Sequence, residues 1–345
     1  MIDVNREGEV WVFAEQHNGQ LEDTPTELLS KARHLADVLG VKLAAVLLGE
    51  HVEELGFKLI HCGADKVYLA EHPMLAAYQT NSYAKVIYDL IHKHKPQIVL
   101  YGATFAGRDL APRIASATRS GLTADCTDLQ IGDHEDTKTK KLHKNLLFQI
   151  RPAFGGNIIA TIINPDRWPQ MATVREGVMQ MPQPDEKRKG RIIREKVLLS
   201  QSDLPLEILA EHKRPKKVNL KAARIIVAGG AGVGSRDNFK LIWELANCLG
   251  AAPAATRAAV DLGYIDHDHQ VGQTGTTVRP SLYIAVGISG QIQHQAGMSQ
   301  SQKIVAINSD PDAPIFNIAH YKIVGDLNIV VPMLIKTIRE KAIKD

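Results

Sequence analysis

Short apolar runs alternate with helix-period segments through the first third of the chain. Strands are predicted at 10–14, 41–48, 66–69 and 97–101, and helices at 24–39, 53–61, 82–94 and 109–117. The first helix carries a capping-box pattern, with the Thr24 hydroxyl at the N-cap, Pro25 at the first helical position and Glu27 at the third. This alternation is typical of an α/β fold with a doubly wound parallel sheet.

The pattern changes after Gly121. A charged segment at 133–144 separates apolar strands at 146–150 and 157–163, which predicts an antiparallel extension. From 182 to 221 the chain is rich in Pro, Lys, Arg and Glu, and a solvated linker surface is favoured there over an anion site. A length of 345 residues favours two domains, predicted as 1–211 and 212–345.

A second alternating unit begins at Ala223. Its strands are predicted at 224–228, 282–286, 304–307 and 323–324, in a second parallel sheet. A helix with a buried stripe that includes Trp243 ends at Gly250, and a closing helix at 331–341 would hold Pro332 in its first turn. The glycine-rich turn at 229–235 matches neither G-x-G-x-x-G nor a P-loop, so close strand–helix packing explains most of its glycines.

Polar residues follow the strands of this second unit. The stretch 253–261 is followed by 270–275, and the residues after 282–286, 304–307 and 323–324 are likewise rich in Gly, Ser, Thr, Gln, Asn and Asp. Such residues bring backbone donors and small polar groups close to a phosphorylated cofactor at the carboxyl ends of a parallel sheet. A large ligand with polar ends is therefore predicted at this edge.

Composition excludes several classes of protein. The net charge of +3 and an aromatic content of 5% are too low for a nucleic-acid-binding surface. Three separated cysteines without a C-x-x-C pair favour a reducing, cytoplasmic setting, and neither a membrane-spanning run nor a secretory signal is recognised. The Asp and His residues at 266–269 suit a solvated loop better than a metal site.

Five blocks in the second unit resemble the electron-transfer flavoprotein α subunit, in order and in separation. They are TRAAVD at 256–261, QVGQTG at 270–275, SGQIQH at 289–294, NSDPDAPIF at 308–316 and VGDL at 324–327. The resemblance is densest over 224–330. It implies a heterodimer in which the second domain of this chain binds FAD, while the nucleotide-hydrolase-like first domain pairs with a β subunit.

The resemblance also implies a role as an electron carrier without substrate chemistry of its own. Electrons would pass between an acyl-CoA dehydrogenase-like flavoenzyme and a second redox partner. No catalytic residue and no metal ligand is expected, because the flavin carries the electrons and the protein sets its potential.

Residue by residue, the resemblance places Arg257 against the isoalloxazine, His294 near its O2 side and Thr274 near N5. A guanidinium there would favour an anionic reduced flavin through Coulomb attraction. Gln273 and Gln293 would bond the flavin periphery, Thr256 and Ser289 the pyrophosphate, and Asn308 and Asp326 the adenosine half. The remaining residues of the predicted cofactor-binding set are Gln270, Gly275, Gly290 and Leu327.

Each assignment has a structural alternative. Arg257 has Asp261 four residues on as an ion-pair partner, and His294 could be a hydrogen-bonded structural residue. Asp326 could be a turn residue, whereas Tyr283 and Trp243 are predicted to be core rather than rings stacked on a cofactor. Ala231 stands where many relatives carry arginine and is left out of the predicted site.

The segment FQIRPAFGGNIIAT at 148–161 resembles the bifurcating branch of the family. That branch implies a second FAD in the β subunit that accepts hydride from NADH, with ferredoxin or flavodoxin as a further acceptor. Arg151 would then face the second flavin. The structural alternative is an arginine at a strand end, beside a Gly-Gly turn. Three alternatives stay open: a non-bifurcating carrier with AMP in the β subunit, a stand-alone NAD- or nucleotide-dependent enzyme, and a non-redox assembly subunit.

Overall fold

The computed structural model describes residues 5–153, 158–204, 206, 208, 218–221 and 223–342. These residues fall into two compact units, one on each side of the segment 209–217.

The first unit is an α/β sandwich around a parallel sheet. Its helices are α1 (Asp23–Leu39), α2 (Glu53–His61), α3 (Thr80–His94) and α4 (Phe105–Thr118). Its strands are β1 (Val10–Phe13), β2 (Gln16–His17), β3 (Gln20–Leu21), β4 (Leu43–Gly49), β5 (Lys66–Glu71), β6 (Ile98–Gly102), β7 (Leu122–Cys126), β8 (Asp128–Glu135), β9 (Leu142–Ala153), β10 (Ile158–Ile162), β11 (Gln170–Val174) and β12 (Arg191–Arg194).

Seven strands form the main sheet, in the order β12-β5-β4-β1-β6-β11-β7, and every pair in it is parallel. All seven residues of β4 are buried, because apolar clusters cover both faces of the sheet. Strands β8, β9 and β10 make a separate antiparallel sheet, and β2 and β3 a small hairpin. The doubly wound sheet and the antiparallel extension are therefore as predicted.

The capping box predicted at Thr24 is wrong. Helix α1 begins at Asp23, and its N-cap is Glu22, which makes no side-chain cap. The Glu27 carboxylate is buried and accepts a hydrogen bond of 2.9 Å from the Gly177 amide. The Glu27 side chain thus bonds a residue that is remote in sequence, instead of capping its own helix as the local pattern predicted.

The linker predicted at 182–221 is wrong for its first half. Strand β12 lies within that segment and pairs with β5, and Arg188 forms an ion pair with Asp65 at 2.9 Å. Ile192 and Ile193 point to opposite faces of the sheet and pack against separate core clusters. An edge strand with only two apolar residues between arginines is too short to stand out from a charged segment.

The second unit carries a five-stranded sheet. Its helices are α5 (Lys240–Leu249), α6 (Arg257–Asp261), α7 (Ile292–Gln295) and α8 (Leu327–Ala342). Its strands are β13 (Ile225–Gly229), β14 (Ala252–Ala255), β15 (Leu282–Val286), β16 (Lys303–Asn308) and β17 (Tyr321–Val324). All of them are parallel, in the order β14-β13-β15-β16-β17.

This order places a topological switch point between β13 and β15. The chain leaves β13 through α5 to β14 on one side, and later enters β15 on the other side. Loops that leave the two strands in opposite directions open a crevice at their carboxyl ends, where open α/β sheets bind ligands. The fold therefore puts the polar strand ends noted in the sequence at one edge.

Two helix predictions in the second unit need correction. Trp243 is 39% exposed rather than part of the buried stripe of α5, which consists of Phe239, Ile242, Leu245 and Ala246. Helix α8 begins at Leu327, so Pro332 lies within the helix rather than in its first turn. The Gly250 stop of α5 is as predicted, with φ of 60°.

Within the described ranges, no helix has the length and apolar character that crossing a bilayer requires. No group of three or more His, Cys, Asp or Glu residues is arranged there to hold a metal ion. His269, from the 266–269 segment, is buried and bonds the Pro253 carbonyl oxygen through Nδ1 at 2.8 Å.

Candidate functional site

A cleft of about 910 Å³ opens at the carboxyl ends of β13–β17. Twelve of the thirteen sequence-predicted residues line it: Thr256, Arg257, Gln270, Gln273, Thr274, Ser289, Gly290, Gln293, His294, Asn308, Asp326 and Leu327. Among the lining residues that the prediction missed are Gly230, Ala231, Gly232, Asp261, Gly287, Ile288 and Asp310. These residues lie in the segments that follow the strands of the second sheet. That position in the sequence could have identified them as lining a ligand site.

The glycine-rich turn after β13 is pressed against the turn after β15. A Cβ on Gly230 would lie 2.2 Å from the Gly287 carbonyl oxygen, and one on Gly232 would lie 2.7 Å from it. The Gly232 amide donates a hydrogen bond of 3.0 Å to that same oxygen. Close backbone approach of two turns thus accounts for these two glycines, rather than the strand–helix packing that the sequence predicted, and it brings two loops together at the floor of the cleft.

The loop after β15 is fixed by a second crossing. Gly287 and Gly290 have φ of 60° and 88°, which is left-handed backbone that favours glycine. A Cβ on Gly290 would lie 2.2 Å from the Ile315 nitrogen, whose amide donates 3.0 Å to the Ser289 carbonyl oxygen. The predicted Ser289 and Gly290 are therefore held on the cleft wall by contact with the 308–316 block.

The loop at 270–275 closes on itself. The Gln270 side-chain amide donates to the Thr274 hydroxyl at 2.9 Å, and a Cβ on Gly275 would meet the Gln270 carbonyl oxygen at 2.4 Å. Gly275, which the resemblance placed in the cofactor-binding set, does not line the cleft, and its lack of a side chain allows this tight closure. The Gln273 amide donates 2.7 Å to the Gln293 carbonyl oxygen and so joins the loop to α7.

Arg257 is the first residue of α6 and is two-thirds exposed. Its Nε lies 3.4 Å from Asp261 Oδ2, so the ion pair offered as the structural alternative is present. An exposed pair of this kind contributes little to stability and leaves the guanidinium able to take other partners. Both residues line the cleft, and contact between Arg257 and a flavin stays a prediction.

The charges on the cleft wall are unequal. Among the described lining residues, Arg257 is the single Lys or Arg, against the carboxylates of Asp261, Asp310 and Asp326. An anionic ligand would therefore depend on this guanidinium and on backbone amides rather than on a cluster of cations.

His294 is buried in the cleft wall, and both of its ring nitrogens have protein partners. Nδ1 lies 3.0 Å from the Val271 carbonyl oxygen, and Nε2 lies 3.1 Å from the Tyr283 hydroxyl. Burial lowers the pKa of His294 to about 4, although the bond to Val271 opposes that shift. The ring is therefore neutral near pH 7. Tyr283 is fully buried in the core, as predicted.

Asn308 and Asp326 hold backbone as well as lining the cleft. The Asn308 amide donates 2.9 Å to the Ile288 carbonyl oxygen, and its Oδ1 accepts from the Asp310 amide at 3.0 Å. Asp326 Oδ1 accepts from the Asn328 amide at 2.8 Å, in the first turn of α8. Both side chains have structural roles that are compatible with a further contact to a ligand.

Thr256 and Leu327 are also partly structural. The Thr256 hydroxyl accepts a bond of 3.4 Å from the Ala259 amide and caps α6. Leu327 is buried against the core of the second unit.

This cleft fits FAD, the cofactor that the sequence resemblance implies. Its volume lies in the range of ligand pockets, and its wall mixes apolar groups such as Ile288 with hydroxyls, amides and one guanidinium. Gly230, Gly232 and Gly287 leave the floor without side chains, so a ligand can approach the backbone closely.

Comparison with known proteins gives the same assignment. The family model described as "Electron transfer flavoprotein domain" matches residues 10–199, and that described as "Electron transfer flavoprotein FAD-binding domain" matches residues 219–299. The "Electron transfer flavoprotein subunit alpha" of Thermoanaerobacterium thermosaccharolyticum is 54% identical over 96% of this chain and 98% of that protein.

Two further relatives cover nearly the whole chain. The protein of the same name from Clostridium acetobutylicum is 49% identical over 96% of both chains. The "Acryloyl-CoA reductase electron transfer subunit beta" of Anaerotignum propionicum is 43% identical over 98% of this chain and 97% of that protein. On this evidence, the chain belongs to the electron transfer flavoprotein family and carries that family's FAD-binding domain.

Proposed function

We propose that this chain is the FAD-holding subunit of a heterodimeric electron carrier. The observation that carries the proposal is the cleft at the switch point of the second unit, where twelve of the residues expected at the cofactor meet. Bound FAD would supply the redox chemistry, taking up electrons from one protein and giving them to another. The second unit would hold the cofactor, and the first unit would pair with a β subunit.

The chain's own residues would bind the cofactor and set its electrostatic surroundings. Arg257 would place a positive charge at the cleft, where a more negative, reduced flavin is stabilised by Coulomb attraction. The glycine crossings would let the ligand approach the main chain closely, and the Thr256 hydroxyl and the Asp326 carboxylate would serve the phosphate and adenosine portions. The neutral His294 ring would form an uncharged part of the cleft wall.

The relatives' names support the assembly that we propose. Two are named as subunits alpha of an electron transfer flavoprotein, and a third as an electron transfer subunit of an acryloyl-CoA reductase. We infer that this chain pairs with a β subunit and exchanges electrons with an acyl-CoA dehydrogenase-like flavoenzyme.

Co-expression with a β subunit of this family tests the carrier. The purified complex should be yellow, should bleach on anaerobic reduction and should pass electrons to a dye or a partner dehydrogenase. Substitution of Arg257 and Asp326 together should remove the colour. A colourless wild-type complex that gains no FAD on incubation would refute the proposal, and NAD turnover by this chain alone would favour the stand-alone enzyme.

Electron bifurcation is a second candidate. Arg151 lies on β9 opposite Ala160 of β10, on the antiparallel sheet of the first unit, and the 148–161 segment resembles the bifurcating branch. Residues 154–157 of that segment lie outside the described ranges. In this form of the proposal, a second FAD in the β subunit would accept a hydride from NADH. One of the two electrons would then go to ferredoxin or flavodoxin and the other to the FAD of this chain.

An anaerobic titration of the complex with NADH separates the two forms. Bifurcation requires two FAD per pair of subunits and reduction by NADH. If the complex instead holds one FAD, with AMP in the β subunit, and NADH does not reduce it, bifurcation is excluded and the non-bifurcating carrier remains.

A further inference from the structure

We propose that Gln270 is a positioning residue of the FAD cleft, whose side-chain amide turns the hydrogen of the Thr274 hydroxyl toward the cofactor. The inference rests on the proposed function and goes beyond it in two respects. It assigns Gln270 an action through Thr274 instead of a direct contact with the cofactor. It also makes the Thr274 hydroxyl a hydrogen-bond donor to an acceptor atom of the flavin.

The first step is the position of Gln270. This residue is 3% exposed, and a parallel bridge joins it to Ala255 at the end of β14. Its backbone amide donates 2.9 Å to the His267 carbonyl oxygen, and its own carbonyl oxygen accepts from the Thr276 amide at 2.8 Å. A Cβ on Gly275 would lie 2.9 Å from Gln270 Cγ, so the side chain fills the space that the glycine leaves. Close packing therefore fixes the direction of the Gln270 side chain.

The second step is the direction of the bond to Thr274. The Gln270 Nε2 group can only donate, so at 2.9 Å it occupies a lone pair of Thr274 Oγ1. A hydroxyl that accepts one bond still carries its own hydrogen, and that hydrogen must point away from the donor. Within the part of the chain that the structure describes, no protein acceptor takes this hydrogen. It is therefore available to a ligand.

The third step is what this hydrogen can do in the cleft. Thr274 is exposed on the cleft wall, next to Gln273. The unprotonated ring nitrogens and carbonyl oxygens of a flavin are acceptors, and they gain negative charge on reduction. A hydroxyl that donates to one of them stabilises the reduced cofactor more than the oxidised one. Gln270 would thereby raise the midpoint potential without touching the cofactor.

A double-mutant cycle tests whether Gln270 acts through Thr274. Gln270→Met keeps the length of the side chain and removes the donor, so the hydroxyl is free to rotate. It should lower the midpoint potential of bound FAD and shift its visible spectrum. In the Thr274→Val background, which lacks the hydroxyl but keeps the branched shape, the same change should leave both unchanged. Equal shifts in the two backgrounds would mean direct contact with the cofactor and would overturn the positioning role.

Gln270→Glu tests the direction of the bond. A carboxylate can only accept, so the Thr274 hydroxyl would turn its hydrogen away from the cofactor. The added charge by itself also lowers the potential, and the Thr274→Val background measures that contribution alone. The drop should therefore be larger with Thr274 in place than in the Thr274→Val background. An equal or smaller drop would mean that the hydroxyl already donates to Gln270, and the inference would be wrong.

Gln97→Met is the matched control. Gln97 is also a buried glutamine, but it belongs to the first unit, where its Nε2 donates 2.6 Å to the Gly8 carbonyl oxygen. Loss of that donor should leave the FAD spectrum and potential as in the wild type. If Gln97→Met shifts them as Gln270→Met does, the effect is general destabilisation and the inference is wrong.

The FAD content of the wild-type complex separates this inference from the proposed function. A complex that holds no FAD refutes both. A complex that holds FAD but shows no coupling between Gln270 and Thr274 refutes this inference alone and leaves the carrier in place.

Discussion

The carbonyl oxygen of Gly287 lies so close to Gly230 that a methyl group on Gly230 would come within 2.2 Å of it. Two loops from neighbouring strands thus meet backbone to backbone under the FAD cleft. Any side chain there must push the loops apart, because the obstructing atom is a main-chain oxygen rather than the flexible end of a side chain.

Gly230→Ala should therefore lose most of its bound FAD. The added methyl group would separate the turns after β13 and β15, whose glycines form the cleft floor. The measurement is FAD per chain, from the visible absorbance of the purified complex. Gly263→Ala is a suitable control, because it introduces strain at φ of 74° with nothing within 4 Å and lies away from the cleft. It should reduce stability and keep FAD, and equal FAD loss in both variants would count against our explanation.

Arg257→Ala should lower the midpoint potential of FAD. Loss of the guanidinium removes Coulomb stabilisation of the reduced, more negative flavin, by about 1 kcal/mol for a solvent-screened group. Potentiometric titration measures this change. Arg257→Lys should give a smaller drop, because the charge is retained, and Asp261→Asn should not lower the potential, because only the neighbouring carboxylate is removed. An unchanged or higher potential in Arg257→Ala would contradict its assigned role.

His294→Ala should also lower the midpoint potential, but by less than Arg257→Ala. The imidazole is neutral near pH 7, so its removal takes away a dipole rather than a full charge. The same potentiometric titration ranks the two variants. A larger drop for His294→Ala would mean that the ring is charged in the FAD-bound complex.

The second unit should become less stable as the pH falls from about 6.5 toward 4. His294 has a pKa of about 4 in the folded state, below its ordinary value of 6.5, so in this window the unfolded chain binds the extra proton. The stability is fully present above pH 6.5 and is lost by about 3 kcal/mol as the pH drops through the window. Urea unfolding of the wild type at pH 7 and pH 5 measures it, and His294→Ala should show a weaker pH dependence.

Glu15→Gln should stabilise the first unit at pH 7, because it removes a partly buried charge. Burial raises the pKa of Glu15, and the Glu22 and Glu176 carboxylates add to the shift, whereas the bond from the Thr104 hydroxyl opposes it. A carboxyl with a raised folded-state pKa contributes stability at low pH that is lost as the pH rises through that pKa. Glutamine keeps an acceptor for Thr104 without the charge. Chemical unfolding should show a larger gain at pH 7 than at pH 5, and a loss of stability at pH 7 would refute this account.

The strands and their parallel order could be predicted wherever the sequence repeats long apolar runs. The buried strand β4 and the second-unit strands β13 and β15 are of this kind, because both faces of a parallel sheet are covered. The glycine-rich turn at 229–235 was also predicted as a tight turn, but the neighbour of its glycines at 230 and 232 is the turn after β15 rather than a helix. The cleft residues were found through family motifs rather than through periodicity.

The rest could not be predicted, because the deciding partners are remote in sequence. Glu27 bonds Gly177 instead of its own helix, and Trp243 stays partly exposed and contacts the ring of His269 rather than the core. The hydrogen bonds from His294 to Val271 and Tyr283 join three separate segments. No local pattern encodes such a juxtaposition.

Strand β12 pairs with β5, so the outermost strand of the first sheet is contributed by residues 191–194, far along the chain from 66–71. During synthesis, the edge of β5 stays unpaired until the ribosome has passed residue 194. Shortened forms of this chain that end earlier would expose that edge to strand exchange with another copy. Expression boundaries for the isolated first unit therefore belong downstream of Arg194.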